Sequence, residues 1–101
     1  MPMNIDYTNE EQFIEIENMK TFKISLEETA TAGYEWIPEF DSHFIKLEGD
    51  DFKLGDGIGA SGLHVFRFRA LNRGNSKILM AYKRPWVKES LLVKTFKVTI
   101  R

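Results

Sequence analysis

The chain has no cysteine, and that absence removes several chemistries at once. No disulfide staples the fold, no thiol serves as nucleophile or metal ligand, and folding needs no oxidising compartment. Stability therefore has to come from packing. No stretch approaches the ~20 apolar residues of a membrane-spanning helix. Residues 1–11 are polar and acidic, without the basic start and apolar run of a secretory signal. Read from Met1, that start implies a cytosolic protein; a lysosomal or secreted one follows if a leader has been removed. Excess charge of either sign is missing too. With 14 Lys and Arg against 15 Asp and Glu the formal net charge is −1, so the basic footprint of a nucleic-acid binder is absent. Arg67, Arg69, Arg73 and Lys83-Arg84 read as solvated strand and turn positions. Neither nucleic acid nor membrane is an expected partner.

The residues of a catalytic or cofactor site are equally sparse. His43 and His64 lack cysteine or carboxylate companions at metal-ligand spacing, so each reads as a surface or edge-strand residue rather than a ligand or base. Ser25, Ser42, Ser61, Ser76 and Ser90 have no nucleophile-elbow context. Asp50, Asp51 and Asp56 do not fit the spacing of a calcium loop and read as a solvated acidic turn. Gly57-Ile58-Gly59-Ala60-Ser61-Gly62 matches the G-x-G-x-x-G dinucleotide fingerprint letter for letter. That fingerprint works only between a strand and a helix, with an acidic residue ~20 positions later to hold the ribose. Here the glycines lead into an apparent strand over residues 63–70, and Lys77 and Tyr82 occupy the region where the acid belongs. The nucleotide reading is rejected, and the expectation is a protein without cofactor or metal that is not an enzyme.

What the chain does have is period-two alternation. Its 101 residues, 43% hydrophobic and 29% charged, suit one globular domain over residues 1–101, with 1–11 a candidate flexible arm. Phe22, Ile24 and Leu26 alternate with Thr21, Lys23 and Ser25; Phe96, Val98 and Ile100 alternate with Lys97, Thr99 and Arg101. These are half-buried strands. Phe66, Phe68 and Ala70 alternate with Arg67 and Arg69, and Ile78, Met80 and Tyr82 resume the pattern after Asn72-Arg73-Gly74-Asn75, which predicts an antiparallel hairpin. Further strands are expected over 12–17, 33–37 and 44–48; within 41–52, Glu48, Asp50 and Asp51 are left open between a loop and the start of a helical turn. Without a convincing amphipathic helix, the architecture expected is an all-β, immunoglobulin-like antiparallel β-sandwich of seven or eight short strands.

Three connections stand out. Thr29-Ala30-Thr31-Ala32 is small, polar and unneeded by a core, and leads into Gly33-Tyr34-Glu35-Trp36, where Tyr34 and Trp36 share a face and Trp36 suits core packing. The glycine segment 57–62 is either a plain strand connection or a backbone left bare for a partner's main chain. Arg84-Pro85-Trp86 ends a strand with a rigid proline beside two residue types common at binding hot spots. Trp86 either projects for binding or folds back as a lid over the end of the sandwich.

In order and spacing, these segments resemble the loop motifs of the chagasin-type inhibitors of papain-like cysteine peptidases, over residues 12–101. The family's first loop reads Asn-Pro-Thr-Thr-Gly-Tyr/Phe-x-Trp; Thr31, Gly33, Tyr34 and Trp36 match, while Thr29, Ala30 and Ala32 depart from it. Of Gly-x-Gly-Gly, Gly57 and Gly59 match around Ile58 and Ala60 takes the place of a glycine; Arg84-Pro85-Trp86 is complete. The resemblance implies an immunoglobulin-like sandwich whose loops wedge into the peptidase cleft. The first loop would lie over the catalytic Cys and His with Thr31 nearest the reacting centre, the glycine loop against substrate-binding backbone, and the tryptophan loop on the primed side. It implies a monomeric, reversible, tight-binding inhibitor with cathepsin L-like enzymes as the foremost partners. The alternative from the residues alone is a protein- or glycan-recognition module using the same loop end.

Overall fold

The computed structural model describes residues 11–28, 33–53 and 62–101. Within them the alternating segments become seven strands: β1 (Glu11–Ile16), β2 (Thr21–Glu28), β3 (Glu35–Phe40), β4 (Ile45–Lys53), β5 (Gly62–Ala70), β6 (Gly74–Lys83) and β7 (Leu92–Ile100). No helix occurs among the described residues. One sheet has the order β1-β7-β6-β3 and the other β2-β5-β4. The apolar member of each alternating pair turns to the space between them. Phe22, Ile24, Leu26, Phe66 and Phe68 from one sheet meet Ile14, Trp36, Ile78, Met80 and Phe96 from the other in a single buried cluster. Phe68 anchors it, stacked on Phe22 with centroids 5.6 Å apart and taking the edge of Phe40 at 5.6 Å. Burial of each such side chain stabilises by roughly 1.5–3 kcal/mol, which is how a chain without disulfides holds this shape.

The fold is the all-β sandwich that the alternation implies. Four of the five strand pairings are antiparallel and β1–β7 is parallel. Of the candidate arm 1–11, only Glu11 lies within the described residues, as the first residue of β1 opposite Thr95.

Two expectations are corrected. β5 and β6 do not form a hairpin: β5 pairs with β2 and β4, and β6 with β3 and β7. Their apolar files face each other across the core instead of lying side by side. At the corner Ala70 N donates to Lys20 O and Leu71 N to Phe44 O, which holds the chain to the three-stranded sheet until it crosses. Gly74 makes the crossing with φ +141, a conformation in which a side chain would be strained and its Cβ would stand 2.8 Å from the Phe44 ring. The second correction concerns Glu48, Asp50 and Asp51: the strand expected over 44–48 forms and runs on through them instead of giving way to a loop or helical turn. Ile45 to Lys53 is one long strand whose exposed charges are matched by β5: Arg69 Nε donates to Glu48 Oε2 at 2.7 Å, and Arg67 lies 3.8 Å from Asp51. The Arg69 bond holds the Glu48 carboxyl below its usual range against a smaller opposing effect of desolvation.

The register sends three connections out of the same end. Glu28 stands opposite Gly62, Lys53 opposite Leu63, Glu35 opposite Lys83, and Tyr82 opposite Leu92. Residues 29–34, 54–61 and 84–91 therefore all leave from this end, whereas 17–20, 41–44 and 71–73 turn at the other.

Candidate functional site

Arg84-Pro85-Trp86 sits where β6 stops. Val87 N donates to Arg84 O at 3.0 Å, closing a four-residue turn with Pro85 in its second position, where a ring-fixed φ is already correct. Leu91 N donates to Tyr82 O at 2.8 Å and closes the longer loop beneath it. Trp86 is 73% exposed, so it projects and does not cap the core. Trp36, by contrast, is 4% exposed and belongs to the core, as its strand position predicts.

The end of the first loop is built onto the third. Tyr34 stacks on Tyr82 with centroids 5.6 Å apart, and the Arg84 guanidinium lies 4.7 Å above the Tyr34 ring. Tyr82 continues into Trp36 at 4.9 Å, and the Lys94 ammonium lies over the Trp36 ring at 5.5 Å. Arg84, Tyr34, Tyr82 and Trp36 thus form a run of ring contacts from the surface to the core, with Lys94 over its Trp36 end. Each cation over a ring adds on the order of 0.5–1 kcal/mol at exposed positions. Beyond this run, the Trp86 indole lies over Gly33, whose φ is +80; a Cβ added there would stand 2.7 Å from the ring.

The base of the first loop is pinned independently. Trp36 Nε1 donates to Glu27 O at 2.8 Å, and Trp36 N donates to the buried Glu28 Oε1 at 2.9 Å. The two strands that carry the loop are therefore tied at its root. Replacing Trp36 with Phe keeps the ring stacking and removes the indole donor, leaving the Glu27 carbonyl without that partner. A loss of about 1 kcal/mol in unfolding free energy is expected from urea titration; an unchanged midpoint would show that this bond carries no stability.

Of the sequence-predicted site residues, the structure describes Gly33, Tyr34, Arg84, Pro85 and Trp86 and brings them together. Thr29, Ala30, Thr31, Ala32, Gly57, Ile58, Gly59 and Ala60 lie outside the described residues. What is placed for them is the strand ends from which they depart.

Tyr82, Glu28 and Asp50 were missed by sequence reasoning, and His64 was misjudged. His64 is neither isolated nor on an edge: it lies on β5, the central strand of its sheet, with Nδ1 2.9 Å from Glu28 Oε1 and Nε2 2.5 Å from Asp50 Oδ2. Burial pulls the imidazole down, but the two carboxylate contacts outweigh it and leave His64 titrating above its ordinary value. A signal was available in the pattern, since Glu28 follows Phe22, Ile24 and Leu26 on the inward file of β2, and His64 precedes Phe66 and Phe68 on that of β5.

An exposed Trp beside a stacked Arg–Tyr pair at one end of a sandwich suits contact with a protein partner. Comparison with known proteins makes the class specific. The model of the chagasin family peptidase inhibitor I42 matches residues 15–100, and the chain belongs to that family. It is similar to the cysteine protease inhibitor EhICP2 from Entamoeba histolytica, with 25% identity, a TM-score of 0.84, and coverage of 97% of this chain and 94% of that one. The fold is shared with Amebosin at 21% identity and TM-score 0.75, over 97% of this chain and 96% of that one. It is shared also with PbICP-C, solved in complex with falcipain-2, at 19% identity and TM-score 0.69, over 97% and 98%. A search of the curated proteins found no match. Family membership makes the chain a peptidase inhibitor and not an enzyme, and favours that reading of the loop end over a general recognition module.

Proposed function

We propose that this chain inhibits papain-like cysteine peptidases reversibly, as a monomer, by seating three adjacent connections in the active-site cleft: residues 29–34, residues 57–60 and Arg84-Pro85-Trp86. The observation that carries this reading is the junction of the first and third connections, with Trp86 over Gly33 and Arg84 over Tyr34, already assembled in the free protein. A junction assembled beforehand loses little freedom on binding, so an interface of ordinary size, ~1,600 Å², can be tight. The small side chains of 29–32 suit the narrowest part of a cleft, and the glycines of 57–60 leave main chain open to strand-like pairing. Cathepsin L-like enzymes are the targets to try first.

Occlusion requires no bond between inhibitor and peptidase. Progress curves with a fluorogenic peptide should show competitive inhibition that reverses on dilution, with the chain recovered intact after long incubation. Cleavage of the chain at Thr31 or Gly59 in step with the loss of inhibition would replace occlusion with a substrate-trapping mechanism.

A further inference from the structure

The inner face of the three-stranded sheet changes character at the loop end. Leu26 on β2 is followed two residues later by Glu28, Phe66 on β5 is preceded by His64, and on β4 the file of Ile45 and Leu47 continues into Asp50. Asp50 reaches that face only because of the β-bulge between Leu47 and Gly49. Strict alternation from Leu47 would turn Asp50 outward, and one extra residue reverses the parity. His64 lies between the two acids as a diagonal neighbour of each. Its ring stacks on Phe66 at 4.1 Å and takes the edge contact of Phe52 at 6.1 Å, so its plane is set by packing.

Both ring nitrogens face carboxylate oxygens, 2.9 Å away at Glu28 and 2.5 Å at Asp50. An ionised carboxylate only accepts, and a neutral imidazole has a single N–H. Only the protonated ring donates to both acids at once. The same Glu28 Oε1 accepts from Trp36 N, so the chain of contacts runs from β4 through β5 and β2 to β3. These four strands carry the roots of residues 29–34 and 54–61.

We propose that Glu28, His64 and Asp50 form a positioning brace that sets the spacing of the first and second inhibitory loops, and that the brace is complete only when His64 is protonated, so that inhibition is tighter in acid. This rests on the reading of those loops as the inhibitory surface. Among the described residues, the other charged and titratable groups near the site do not replace the brace. On β2 and β4, Glu27, Asp51 and Lys53 occupy the opposite face by register. Across the core, Lys94 lies over Trp36, and Arg84, Tyr34 and Tyr82 are engaged in the run of ring contacts. Because the His64 pKa is raised in the folded protein, the stabilisation is fully present below the ordinary imidazole value and is lost as pH rises through the higher folded value.

The inhibition constant against papain, measured for the native chain, His64→Gln and Glu28→Gln at about pH 5.5 and about pH 8, tests this. Taking the ratio of variant to native at each pH cancels the peptidase's own titration. The ratio should be about fivefold or more in acid and should shrink toward one in alkali. Ratios near one at both values, with the variants folded, overturn the proposal. An equal loss at both values also overturns it, because a purely structural role has no pH dependence. If the chain inhibits no papain-like peptidase, the functional reading has failed separately. Nuclear magnetic resonance of the free protein then decides the brace: the Trp36 backbone amide should shift along the His64 ring titration, and a Trp36 amide indifferent to that titration refutes it.

Discussion

Trp86→Ala is expected to weaken inhibition of a papain-like peptidase by about 2 kcal/mol or more, roughly 30-fold, mostly through faster dissociation. The side chain is 73% exposed and outside the buried cluster, so its removal should leave the folded state intact. Its contribution is instead to the surface offered to a partner: a large flat ring on a turn that Pro85 stiffens and the Val87–Arg84 bond closes. Surface plasmon resonance separates the two rate constants, and thermal unfolding of the same sample checks the fold. A folded Trp86→Ala that dissociates at the native rate would remove the tryptophan connection from the interface.

Gly33→Ala should be the next most damaging change, although it adds only a methyl group. The residue has φ +80, where a non-glycine costs on the order of 1–2 kcal/mol, and its Cβ would stand 2.7 Å from the Trp86 ring. Being exposed, the indole can swing away, so the collision displaces Trp86 more than it unfolds the protein. Inhibition should therefore fall by more than the loss in stability alone suggests. A double-mutant cycle isolates the contact: in the Trp86→Ala background, Gly33→Ala should cost clearly less binding than in the native chain. Additive losses would show that Gly33 and Trp86 act separately, and that the first and third connections are not one surface.

Alternation encodes burial and not strand neighbours. Period two tells which side of a strand is buried, and that was enough for the core files at Phe22, Ile24 and Leu26, at Phe96, Val98 and Ile100, and for Trp36. It says nothing about which strand lies beside which. The files of β5 and β6 look the same whether the strands pair edge to edge or face each other across a core, so the hairpin expected between them proved wrong. A bulge defeats the pattern differently. Between Leu47 and Gly49 one residue drops out of register, Asp50 turns inward, and a segment that read as an acidic turn becomes half of the His64 brace.

Loop motifs were legible for another reason. Proline and glycine act through backbone geometry that is local in sequence, so Arg84-Pro85-Trp86 and Gly33-Tyr34 could be singled out without knowing their neighbours. Their junction could not. Tyr82 looked like one more alternating residue of β6, and only the pairing of β3 with β6 brings it between Tyr34 and Trp36.

Titration of papain with the purified chain, followed by hydrolysis of a fluorogenic peptide at enzyme concentrations well above the dissociation constant, tests the central claim most directly. Activity should fall linearly and reach zero at one molecule of chain per active site. Papain that keeps its full rate in the presence of excess folded chain would contradict it.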